Sequence, residues 1–126
     1  MKRVNSQGQS RERQLATILD SLPGMAYRCL YDEHWTLISA SKGCRQLTGY
    51  EPDELINNKV ISFAELIAEG IDEATLQAVD LAVGNAELFS IEYSLVRKDG
   101  TRIWVWECGR SVEGEGELVL EGIVLD

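Results

Sequence analysis

The sequence predicts an α+β domain with its helices and strands segregated along the chain. Three observations carry this: a helical stripe near the N-terminus, one longer helical pattern in the middle, and a last third of alternating, hairpin-punctuated strands. At 126 residues there is room for one domain, able to bury about two-thirds of the surface its unfolded chain exposes. With 44% hydrophobic residues, 26% charged and two prolines, the composition is too apolar for a disordered segment.

Residues 1–9 read as a polar leader, and residues 10–22 as an amphipathic helix. Leu15, Ile18, Leu19 and Leu22 recur at i, i+3, i+4 and i+7, one stripe that Pro23-Gly24 must end. Met25 to Tyr31 and Trp35 to Ala40 follow as two strands around a polar turn, Asp32-Glu33-His34. Ser41 is placed to cap a short helix stopped by Gly49, and Pro52 with Asp53 and Glu54 suits the first turn of another. Asp72 is expected to cap the main helix, whose apolar side carries Thr75, Leu76, Val79, Ala82 and Val83 up to Gly84-Asn85.

Phe89, Ile91, Tyr93 and Leu95 alternate with polar residues, the period of a half-buried strand. Asp99-Gly100 signals a hairpin, since both residues tolerate the positive φ of a type I′ turn. A two-residue loop would set Lys98 opposite Thr101, Leu95 opposite Trp104, Tyr93 opposite Trp106 and Ile91 opposite Cys108. One face would then hold Phe89, Ile91, Tyr93, Leu95, Trp104, Trp106 and Cys108, the other Glu92, Glu107, Val96, Ile103 and Val105. Glu113 to Glu117 form a turn, and Leu118 to Leu125 a nearly continuous apolar strand expected to be central.

Twelve basic against 21 acidic residues give a net charge of −9 and a pI near 4.6, which repels nucleic-acid phosphates and anionic lipid surfaces. No nucleic-acid partner and no direct membrane contact are expected. Cys29, Cys44 and Cys108 are odd in number and form no C-x-x-C pair, as in a reduced, cytoplasmic protein. The single histidine, His34, sits in a turn without a nucleophile beside it, so neither catalysis nor a metal site is expected. Gly114-Glu115-Gly116 precedes a strand and is flanked by carboxylates, which excludes a dinucleotide loop.

Tyr31 to Asp126 resembles a PAS domain, in particular the sensory boxes of bacterial signalling proteins. The carrying residues are Leu47-Thr48-Gly49-Tyr50 with Pro52-Asp53-Glu54-Leu55, then Arg97-Lys98-Asp99-Gly100-Thr101 with Trp104-Val105, and Gly122-Ile123-Val124-Leu125-Asp126. Where many relatives carry His-Pro-Asp-Asp before the long helix, this chain has Ala68-Glu69-Gly70-Ile71-Asp72 and keeps only the capping Asp. The resemblance implies the PAS fold for residues 23–126, a five-stranded antiparallel sheet with short helices on one face and an N-terminal helix packed on the sheet or on a partner. It further implies a sensory module without catalysis of its own, cut at the junction to an output domain, in a histidine kinase or diguanylate cyclase, either of which could be membrane-tethered elsewhere.

Haem-binding relatives use a histidine on the long helix, and Asp72 to Val83 has none. Relatives that form a flavin adduct use a cysteine in the region that here runs from Asn57 to Phe63 and lacks one. Cys44-Arg45-Gln46-Leu47 imitates that motif but precedes Gly49-Tyr50. The cofactor therefore stays unassigned, with non-covalent flavin left open. Tyr27, Phe63, Val79, Val83, Ile91, Tyr93 and Trp106 are the candidate lining of a small-molecule pocket between sheet and helices. Leu15, Ile18, Leu19 and Leu22 are the candidate association surface of a homodimer. A ligand-free dimerisation module is the alternative to a ligand sensor.

Overall fold

The computed structural model describes Gln14, Thr17 and residues 23–112 and 116–126. The stripe of Leu15, Ile18, Leu19 and Leu22 and most of the Glu113–Glu117 turn lie outside the described residues.

Five strands form one antiparallel sheet: β1 (Gly24–Leu30), β2 (Leu37–Ala40), β3 (Phe89–Val96), β4 (Arg102–Val112) and β5 (Val119–Leu125), in the order β2-β1-β5-β4-β3. Val119 to Leu125, the most continuously apolar run, is indeed the central strand. Its backbone pairs on both sides, and the N–H of Asp126 donates to the carbonyl of Pro23 at 3.2 Å, so the two ends of the sheet domain meet.

Between β2 and β3 run α1 (Gly43–Thr48), α2 (Pro52–Leu55), α3 (Phe63–Leu66) and α4 (Glu73–Gly84). Asp72 caps α4 as expected, its carboxylate accepting the Thr75 N–H at 2.7 Å. Ser62 performs the same task for α3, accepting the Glu65 N–H at 3.3 Å. Ser41 does not cap α1; its hydroxyl accepts the Ala26 N–H at 2.9 Å and ties the helix to β1 instead. That approach is close because Gly43 has no side chain: a Cβ there would fall 1.7 Å from the Gly24 carbonyl oxygen. Gly49, at φ 82°, ends α1 as expected.

The β3–β4 register differs from the sequence expectation by one residue. Arg97, not Lys98, faces Thr101: its N–H donates to the Thr101 carbonyl at 2.8 Å, and the Gly100 N–H donates back to Arg97 at 2.8 Å. The loop is therefore Lys98-Asp99-Gly100, with Gly100 at φ 88°, the three-residue hairpin with glycine in the left-handed position. Asp99 stabilises it by accepting the N–H and hydroxyl of Thr101, and the Lys98 N–H is held by the Thr48 carbonyl at 2.9 Å. A slip of one residue exchanges the two faces of a strand. Tyr93 thus pairs with Val105, Ile91 with Glu107 and Ser94 with Trp104. Val105 and Glu107 point inward, while Trp104, Trp106 and Cys108 lie on the outer face.

The core is a layer between the inner face of the sheet and the helices, built from Met25, Leu37, Leu55, Val79, Leu95 and Leu120 among others. Burying each such side chain contributes roughly 1.5–3 kcal/mol. No helix among the described residues is long and apolar enough to cross a membrane.

Candidate functional site

Glu107 occupies the middle of that apolar layer at 5% exposure, with Tyr27 of β1 and Tyr93 of β3 reaching it from either side. Tyr93 donates its hydroxyl to Oε1 at 2.6 Å, and Tyr27 donates to Oε2. Tyr27 is two strands away, and its path exists because Gly122 faces it in β5 and Gly109 faces Gly122 in β4. A Cβ on Gly109 would lie 2.7 Å from the Tyr27 hydroxyl oxygen, and one on Gly122 2.8 Å from it. These glycines are required for space, not for backbone freedom. They form a trough in which the phenol lies.

Burial pushes the Glu107 pKa up, and the hydrogen bonds from Tyr27 and Tyr93 pull it back only in part, so the net shift is upward. Burial first, and then the Glu107 charge, push both phenols upward, as they do the Cys29 thiol. A hydrogen bond to a charged group stabilises by about 1.5–3 kcal/mol, while an unpaired buried ion costs several. Its carboxyl is hydrogen-bonded by two phenols, and no cationic side chain among the described residues pairs with it.

Beside the carboxylate is a cavity of about 10 Å³, counted as room for the centre of a water molecule, bounded by Met25, Tyr27, Cys29, Trp35 and Phe63. That is space for one water. Outside it, a groove of about 500 Å³ runs between the 31–36 loop and α3–α4. Trp35 belongs to the walls of both.

Of the residues the sequence singles out, Tyr27 and Phe63 line the cavity, and Tyr93 contacts Glu107. Ile91, Val79 and Val83 are buried in the same layer without bordering it. Trp106 is displaced: it is 36% exposed on the outer face, donating its indole N–H to Ser90 at 2.5 Å, because of the register shift. The same shift brings in Glu107, which sequence reasoning had assigned to the opposite face. Trp35 was also missed, because a residue read as part of a strand stands at φ 51°. Asp32 forces that bend by accepting from the N–H groups of His34 and Thr36 and from the Thr36 hydroxyl. The outer face, besides Trp104 at 60% exposure, carries an open hollow lined by Ala26, Cys108 and Ile123.

The chain's relation to known proteins agrees with this architecture. The family described as the PAS fold matches residues 37–124. The PAS domain of an HTR-like protein from Haloarcula marismortui is similar, with a TM-score of 0.73 at 20% identity over 100% of this chain and 99% of that one. A PAS domain from Colwellia psychrerythraea superposes with a TM-score of 0.70 at 24% identity, covering 90% and 94% of the two chains. A domain of a sensory box sensor histidine kinase/response regulator from Geobacter sulfurreducens gives 0.66 at 13% identity, covering 92% and 94%. Sheet order, short connecting helices and sequence match converge, and the chain belongs to the PAS family.

Proposed function

We propose that this PAS module is the cytoplasmic input domain of a larger bacterial signalling protein, a histidine kinase or a diguanylate cyclase, and that it senses a small ligand between sheet and helices. The observation supporting this is the Tyr27–Glu107–Tyr93 arrangement, a costly polar device in an otherwise apolar layer. Its three members stand on β1, β4 and β3, so it bridges the central strand β5. A ligand that redirects these hydrogen bonds would shift β1 and β4 relative to β5, and the displacement would pass to whatever follows Asp126. The chain's own part in this is binding and relay, with no bond made or broken. Native mass spectrometry of gently purified protein, with an absorption spectrum of the same sample, tests it. Bound mass or a visible chromophore is the expected result. Bare protein that also leaves its cavity closed to added xenon would overturn the reading.

A ligand-free dimerisation module is the second reading, and the near-filled interior favours it. It expects Leu15→Glu with Leu19→Glu to abolish association in analytical ultracentrifugation while the fold persists. A variant that stays dimeric counts against it.

A further inference from the structure

We propose that the cavity beside Glu107 is the inner end of a binding site for a small organic cation with an apolar body, reached from the outer groove when the Trp35 indole swings aside. This rests on the reading of the chain as a ligand sensor and adds to it the ligand class and the path.

The groove and the cavity share one partition. Trp35 is 9% exposed and walls both, so moving its indole joins the roughly 500 Å³ groove to the interior. The surrounding backbone is pinned: the Ala64 N–H donates to the His34 carbonyl at 3.1 Å, and Asp32 holds His34 and Thr36. The indole itself is held by packing in the core and against one neighbouring ring. It meets the Tyr31 ring edge-on with centroids 5.5 Å apart, and the Tyr31 hydroxyl donates to Asp80 on the exposed side of α4.

Charge along the path has one sign. Asp32, Glu33 and Asp80 border the groove, Glu107 borders the cavity, and among the described residues no Lys or Arg lines either space. Low-dielectric walls concentrate such a field and draw in cations. An ammonium arriving at Asp80 competes with the Tyr31 hydroxyl for that carboxylate, which frees the ring against which the indole rests. Inside, Tyr27, Trp35 and Phe63 offer aromatic faces to a cation. Each Glu107 oxygen accepts one phenol and retains capacity for another donor. The ligand supplies a positive counter-charge to Glu107, which forms no ion pair among the described residues. An anion meets four carboxylates. A neutral molecule brings no counter-charge to the buried carboxyl.

Isothermal titration with benzylamine, its neutral isostere benzyl alcohol and the anion benzoate tests the class, and the Trp35 indole N–H resonance, assigned with Trp35→Phe, tests the path. The expected result is benzylamine binding that moves the Trp35 resonance, with benzyl alcohol at least about tenfold weaker and benzoate inert. Glu107→Gln should weaken benzylamine about tenfold towards the alcohol's affinity. Asp80→Asn, a surface change that does not endanger the fold, should weaken it too. Alcohol or benzoate binding as tightly as the amine overturns the cation class. Amine binding indifferent to both variants, or without a Trp35 shift, overturns the site. Xenon, which ignores charge, separates the two levels: xenon entering a protein that no amine enters overturns this inference alone, and exclusion of both overturns the ligand-sensor reading with it.

Discussion

Gly109 and Gly122 stand directly opposite each other on β4 and β5, and the phenol of Tyr27 crosses above the pair to reach Glu107. A methyl group on Gly109 would sit 2.7 Å from the phenol oxygen and 3.0 Å from the Phe89 ring. Gly109→Ala should therefore destabilise the protein by about 1–3 kcal/mol through overpacking, read as a lower urea midpoint at an unchanged slope. Tyr27→Phe removes the clashing oxygen, so in the double variant part of that loss should return. Strict additivity of the two changes would mean that the trough is not what the glycines provide.

The buried carboxyl makes a pH prediction. In the folded protein Glu107 keeps its proton to a higher pH than its ordinary 4.5, so between those two values the native state binds more protons than the unfolded chain. Its contribution to stability is whole below about pH 4.5 and is lost as pH rises through the raised folded value. Glu107→Gln does not titrate, so the stability difference between wild type and variant should move steadily in the variant's favour as pH rises across this window. Asp32, Asp72 and Asp99 have lowered pKa values and lose stability on acidification, but they are common to both proteins and cancel in the difference. Urea midpoints measured against pH decide it, and a constant difference would contradict the upward shift.

Adjacent residues on β4 test the register. Trp104 is 60% exposed and Val105 fully buried, so Trp104→Ala should change stability by no more than about 0.5 kcal/mol. Val105→Ala, though it removes far fewer atoms, should cost about 2 kcal/mol. The two-residue hairpin would give the opposite ranking.

How far the sequence is legible follows from which forces are local. The Asp72 cap, the Gly49 stop and the central position of β5 depend on neighbours in sequence or on bulk apolarity, and all three were readable. The hairpin at Asp99-Gly100 was readable in place but not in length, since glycine at positive φ serves loops of two and of three residues alike. What selects the longer loop is remote: Lys98 hydrogen-bonds the Thr48 carbonyl and pairs with Glu54. With the length misjudged, Glu107 and Trp106 exchanged faces, and the polar centre of the site was hidden while an outer tryptophan took its place. Trp35 was hidden for a different reason, since its bend is imposed by the side chain of Asp32 rather than by its own preference for a strand.

Because Pro23 and Asp126 are hydrogen-bonded neighbours at one end of the two inner strands β1 and β5, any segment joined before the first and any joined after the second leave from the same point. A domain joined in this way hangs like a bead on a loop of thread. It could be inserted or removed without changing the distance between the flanking parts. Anything passed through such a junction is a change of direction or twist, not a change of length across the domain.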